Sequence, residues 1–185
     1  MSTRRILVIS HDVVGTRMAG PGIRYHELAR VLSRHFHTTL AVPGESDLVT
    51  PQVEVWPYER GRWDSLADTA RQADVILACG DTLAEFPTLG QLPVPLVIDG
   101  YDPHTLETLA LWADQAGDLQ SARHRRRLAI LQHQCQVGDF FICASERQRD
   151  WWLGLLELQG RINPQTYEAD PSLRRLVDVV PYGLP

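Results

Sequence analysis

His11 and Asp12 directly follow the apolar run RILVIS, so an imidazole and a carboxylate stand at the end of a predicted strand. In open α/β sheets that carboxyl edge is where ligands bind. A histidine there can carry a proton or hold a ligand hydroxyl, and a satisfied loop histidine is the competing reading. Across a glycine-containing loop comes GPGIRYHELARVL, Gly20 to Leu32, with helical periodicity. A helix that begins beside Gly20-Pro21-Gly22 offers unpaired N–H groups and the positive end of its dipole, which suits a phosphorylated ligand. The bland alternative is tight βα packing. Arg17 and Arg24 flank the glycines and could take phosphate in a bidentate manner, or simply be solvated surface arginines.

A second group follows the run LVID, where IDGYDPH places Asp99, Tyr101, Asp102 and His104 at a strand end. Carboxylates there can hold hydroxyls by charge-assisted hydrogen bonds, or do acid/base work. Asp-Gly and Asp-Pro also start turns by themselves, and Asp102 could do no more than that. Glu146, Arg147 and Arg149 open a later helix, where capping charge competes with ligand contact. Arg123-His-Arg-Arg-Arg127 is the one basic run. Such a run is usually a solvated face, with contact to anionic lipid or a phosphorylated acceptor as the functional reading.

The residues that position these groups make one ordinary domain by length, 185 residues with 44% hydrophobic content. A net charge of −5 excludes a general nucleic-acid binder. All eighteen cationic residues are arginine, so no lysine is available for Schiff-base chemistry. Cys79, Cys135 and Cys143 are odd in number and lack metal-ligand spacing, which predicts reduced core cysteines and no metal site. With no long apolar segment at the N-terminus, a cytoplasmic protein is expected, peripheral contact at the inner membrane face staying open.

Short apolar runs recur at Ile6–Ser10, Thr38–Val42, Val53–Trp56, Asp74–Cys79, Leu96–Asp99, Phe140–Ala144 and Val177–Val180, separated by helical patterns. Strands of this kind are buried on both faces, so the pattern predicts a Rossmann-like three-layer α/β/α fold around a mainly parallel sheet of about seven strands. In the first helix Tyr25, Leu28, Ala29, Leu32 and Phe36 share one face, with Arg24, Glu27, Arg30 and Arg34 on the other. A long helical stretch from Pro103 to Val137 should break at Gly117–Asp118, with Asp118 as a cap. Ser145 and Gln148 have capping-box spacing. Trp151, Trp152, Leu155, Leu156 and Leu158 form a broad stripe expected mostly in the core, and the polar stretch after Gly160 reads as loop with a short helix. Ending on Tyr182-Gly183-Leu184-Pro185 is what a domain cut at a linker would show.

Three stretches, MAGPGIRYHELARVLSRHFHTTLAVP, VPLVIDGYDPHTLE and DFFICASERQRDWWLGLLELQGRINPQTYEADPSLRRLVDVVPYGLP, resemble the N-terminal half of a GT-B glycosyltransferase, and within that fold glycosyltransferase family four. The resemblance implies a retaining transfer from a nucleotide diphosphate sugar, by two Rossmann-like domains facing across a cleft, with no obligatory metal and no tightly bound cofactor. Residues 1–185 would then be the acceptor-side domain, Gly20-Pro21-Gly22 and Arg24 its donor diphosphate loop. His11, Asp99 and Asp102 are the candidate catalytic residues, and Asp12, Arg17, Tyr101, His104, Glu146 and Arg149 the candidate substrate contacts. Partners implied are a sugar acceptor, whether small molecule, lipid-linked or polysaccharide, and a C-terminal nucleotide-sugar domain that these residues do not contain. Pro21 departs from the adjacent glycines usual in the family. The fragment alone is expected to be inactive. A nicotinamide dehydrogenase would need G-x-G-x-x-G and an acidic end to its second strand, and Gly15, Gly20 and Gly22 are spaced otherwise. A non-catalytic binding or assembly module is the alternative from another class.

Overall fold

The computed structural model describes residues 4–114 and 117–182. The hydrogen-bonded strands run in the order β3-β2-β1-β4-β5-β6-β7, a seven-stranded parallel sheet of Rossmann-like α/β type. The chain divides into two compact units, residues up to Val97 and residues from Ile98 onward.

In the first unit, β1 (Arg5–Ile9), β2 (His37–Pro43), β3 (Val53–Tyr58) and β4 (Val75–Ala78) alternate with α1 (Gly20–Leu32), α2 (Asp64–Gln72) and the short α3 (Gly80–Glu85). β1 and β2 are continuous apolar runs because both faces are covered: Leu7, Val8, Ile9, Leu40, Ala41 and Val42 are buried. In register, Ile6 stands opposite Thr38 on β2 and Val75 on β4. The strand order reverses around β1. β2 and β3 lie to one side of it in sequence order, and β4 enters on the other, which makes the carboxyl ends of β1 and β4 a topological switch point.

α1 begins where the sequence predicts, with Pro21 in its first turn, where a missing N–H costs little. Two expectations for it fail. Arg24, assigned to the solvent face, is only 4% exposed, and Phe36 lies beyond the helix end at Leu32 and is exposed. Arg24 directly precedes the core residue Tyr25, and a long aliphatic stem lets an arginine follow its neighbour inward.

The second unit contains α4 (His104–Leu111), α5 (Gly117–Val137), β6 (Phe140–Cys143), α6 (Glu146–Leu158), α7 (Pro164–Ala169) and β7 (Val177–Val179). β5 (Leu96–Asp99) spans the division between the units. β6 pairs with β7 in parallel, Ile142 opposite Asp178. The predicted break before α5 is present, although the helix starts at Gly117 itself and Asp118 falls in its first turn. Half of the predicted capping box forms: Ser145 Oγ accepts from Gln148 N at 3.3 Å, while Gln148 Oε1 accepts from Ala144 N at 2.7 Å, one residue earlier than a capping box would place it. A full box occurs instead at α7, between Asn163 and Thr166.

The aromatic stripe of α6 is split. Trp152 and Leu156 are buried, whereas Leu158 is 81% exposed. Cys79, Cys135 and Cys143 are all free and buried, as expected. Among the described residues no helix is long and apolar enough to cross a membrane. The turn predicted at residues 183–185 lies outside the described residues.

Candidate functional site

At the switch point of the first unit, the chain leaves β1 through Ser10, His11 and Asp12 and leaves β4 through Cys79. The two exits meet. His11 Nδ1 lies 3.2 Å from Cys79 Sγ, and Thr82 Oγ1 is 3.6 Å from the same sulfur. The His11 ring also packs in a T-shaped arrangement with the buried Tyr25, with centroids 5.9 Å apart and planes at 85°. Its backbone carbonyl accepts from Arg60, which is paired with Glu85 at 3.3 Å. One residue back, Ser10 O accepts from the Tyr58 hydroxyl at 2.8 Å. Burial pushes that phenol's pKa up.

Burial works against a charged His11, and the adjacent Cys79 outweighs it, helped by Asp81 and Asp12, so the imidazole pKa is raised. Burial likewise opposes ionisation of Cys79, and the hydrogen bond and charge of His11 prevail, so the thiol pKa is lowered. Both shifts favour moving the proton from sulfur toward nitrogen. By its sequence surroundings alone Cys79 reads as an inert core residue. No local signal reveals its role, because His11 is 68 positions away.

The loop between β1 and α1 is held by a residue that carries no motif of its own. Asp47 accepts from Thr16 N at 2.8 Å and from Thr16 Oγ1 at 2.6 Å. A side chain on Gly15 would meet Asp47 Oδ1 at 2.6 Å. Gly22 has a packing role of its own, since a Cβ there would come within 2.3 Å of the Val13 carbonyl oxygen. Of the loop's sequence-predicted residues, Arg17 and Gly20 are exposed, Pro21 and Asp12 are partly buried, and Arg24 is buried. Pro21 carries no N–H, and Ile23 N is bonded to Ala19 O at 3.0 Å, so the helix start offers an anion fewer donors than its glycines suggest.

In the second unit, Asp99 is 2% exposed at the end of β5. Gly100 follows because the Trp152 ring occupies the side-chain position: a Cβ would lie 2.1 Å from Trp152 Cζ2, and the indole Nε1 donates to Gly100 O at 3.0 Å. Tyr101 O accepts from Gln148 Nε2 at 2.8 Å. Asp102 and His104 come together as predicted, with His104 Nδ1 3.7 Å from Asp102 Oδ2. Glu107, which is not among the residues singled out from the sequence, stands at the same 3.7 Å from that nitrogen. Partial burial, then the Asp102 carboxylate, raises the Glu107 pKa. One imidazole and two carboxylates thus lie within 4.8 Å of one another, a set able to share protons or grip hydroxyls.

The residues opening α6 have structural employment. Arg149 is 8% exposed, its Nε donating to Val177 O at 2.9 Å and its terminal nitrogen to Ser172 O. Glu146 pairs with Arg174 at 2.7 Å, and Arg174 also holds Asp178 at 2.5 Å. Further along, Arg161 donates to the Cys135 and Gln136 carbonyls at the end of α5. In the basic run, Arg123 lies over the Trp112 ring at 3.8 Å, while Arg125 and Arg126 are exposed.

These features define a Rossmann-like α/β protein with polar groups gathered after its strand ends. No protein-family model and no curated protein matches the chain. Among solved structures, sucrose-phosphate synthase from Thermosynechococcus elongatus aligns over 96% of this chain and 48% of that one, at 12% identity and a TM-score of 0.53. A short-chain dehydrogenase/reductase from Veillonella parvula DSM 2008 aligns over 78% of this chain and 70% of that one, at 14% identity and a TM-score of 0.47. The likeness to the synthase is one of fold, and the chain spans about half of that protein's length.

Proposed function

We propose that this chain is the acceptor-side half of a retaining GT-B glycosyltransferase that moves a sugar from a nucleotide diphosphate donor to an acceptor. The observation that carries the reading is the family-four resemblance of its three stretches. The fold likeness to a sucrose-phosphate synthase over 96% of the chain accords with it. Each stretch runs through a strand end that bears polar groups: the loop entering α1, the turn after β5, and the start of α6. In this reading the loop at Gly20-Pro21-Gly22, with Arg17, faces the donor diphosphate. Tyr101, Asp102 and His104 hold acceptor hydroxyls, Glu107 joins them, and Asp99, 2% exposed, belongs with the buried framework. Electrostatic stabilisation of the departing diphosphate is the chain's share of the chemistry. Arg24, Glu146 and Arg149 contribute through the framework, because their side chains are buried or paired within the chain.

Extending the reading frame past Pro185 and assaying the product tests this. Transfer with retention at the anomeric carbon, from a second strand–helix series bearing two glutamates near a helix start, is the expected result. A stop codon at that point, or inversion, would overturn it. Contact with an anionic membrane, suited to a lipid-linked acceptor, is supported by the exposure of Arg125 and Arg126 and of Leu106 and Leu111. Sedimentation with anionic vesicles at low and high salt checks it, and failure to pellet at low salt removes it.

A further inference from the structure

We infer that Cys79 is a positioning residue that commits Nδ1 of His11, so that the ring presents Nε2–H as a donor to a ligand oxyanion at the β1/β4 switch point. The inference deepens the proposed function and rests on it only for the identity of the ligand.

Three observations carry it. The first is the contact itself, 3.2 Å from sulfur to Nδ1, a pairing that only the adjacency of β1 and β4 creates. The second is that the sulfur is wholly buried, which leaves it unable to serve as a reagent but well able to hold a neighbour. The third is the packing of the ring, which stands nearly perpendicular to Tyr25 while Arg60 ties down its backbone carbonyl. The chain thereby fixes the imidazole on several sides, and a ring nitrogen with a fixed partner determines what the other nitrogen can do.

The proton count follows. When the thiol donates to a neutral ring, Nδ1 accepts and the single ring proton sits on Nε2. When the proton crosses to nitrogen, a thiolate and an imidazolium result, the pair's net charge is unchanged, and Nε2 again carries a proton. In both arrangements Nε2 donates. A group of that kind binds an oxyanion such as phosphate by a charge-assisted bond and is unsuited to be a general base. The charged and titratable groups around the pair are Asp12 after β1, Tyr58 on β3, Arg60 beyond it, and Asp81 and Glu85 on α3. Asp12 and Asp81 favour the imidazolium.

The test is long-range proton–nitrogen NMR of the His11 ring in the 185-residue chain, assigned by His11→Gln, with titration of the native protein, Cys79→Ser and Cys79→Ala. The native ring is expected to show a protonated Nε2 at neutral pH and a midpoint above that of an ordinary histidine. Cys79→Ser preserves volume and a hydrogen bond but not the acidic partner, so its midpoint falls. In Cys79→Ala it falls further, because burial is then less opposed. Inorganic phosphate should shift the Nε2 signal of the native chain, with a dissociation constant weakened about fivefold in Cys79→Ala by loss of one oriented charge-assisted bond. An unprotonated Nε2 in the native chain, which needs no variant to detect, overturns the inference. So does a midpoint unchanged in a folded Cys79→Ser protein, the result a merely structural cysteine would give. Absence of a phosphate response overturns the oxyanion assignment. None of these readings involves a sugar nucleotide, so failure of the glycosyltransferase proposal would be seen separately.

Discussion

His11 and His104 both follow a strand end and both have acidic residues nearby, yet the chain treats them oppositely. His11 is locked at 3.2 Å against a buried sulfur, its ring nearly perpendicular to that of Tyr25. His104 stands 3.7 Å from each of two carboxylates, one of them on a side chain that is 48% exposed. In the first unit, burial makes a single partner decisive, because little water is present to compete. In the second, water screens the charges and leaves the cluster adjustable. Under the proposed function, the rigid His11 would serve an anion and the adjustable His104 cluster would serve hydroxyls.

The supports of the two clusters can be broken separately. The largest effect is expected for Trp152→Ala, which removes a buried indole and its bond to Gly100. Urea denaturation should show a loss of about 3–5 kcal/mol, and the NMR signals of Tyr101 and Asp102 should move while those of His11 stay in place. Gly22→Ala tests the first unit in turn. Its Cβ would strike the Val13 carbonyl at 2.3 Å, so a cost of about 1–3 kcal/mol is expected, with the disturbance centred on the β1–α1 loop. If Gly22→Ala proves neutral, the packing role of the glycine is wrong. Ser145→Ala removes the cap of α6 and should cost about 1 kcal/mol in thermal unfolding, without altering His11 titration.

The smallest effect concerns pH. Because the Glu107 pKa is raised in the folded chain, the native state holds that proton more tightly than the unfolded one. Its contribution to stability therefore declines as pH rises from the ordinary glutamate value through the raised one. Glu107→Gln should flatten that decline and stabilise the protein at neutral pH by no more than about 0.5 kcal/mol, read from Tm at acidic and neutral pH. A larger gain would mean that the His104 cluster is less screened than its exposure implies.

Much of the fold is legible in the sequence because its signals are local. All seven strands are visible as short apolar runs, and β5 begins and ends where the run does. Ser145 announces α6 by its spacing from Gln148, although the reciprocal bond is shifted by one residue. Of the candidate sites, the types and positions of His11, Asp102 and His104 can be read directly. Cys79 beside His11, and Glu107 beside Asp102 and His104, cannot. Glu107 escapes notice because a lone glutamate in the first turn of a helix looks like ordinary dipole complement.

By itself, then, the sequence determined the element order, the Rossmann-like class and the set of polar groups after each strand, since periodicity and turn chemistry act over a few residues. Tertiary structure alone decided that β4 rather than β5 lies beside β1, and hence that Cys79 meets His11. It also decided that Trp152 reaches back 52 positions to Gly100 and that Arg24 and Arg149 turn inward. Strand order and side-chain burial depend on which distant apolar surfaces close against one another. That choice is made by packing the whole sheet and its helices, and no short window of sequence contains it.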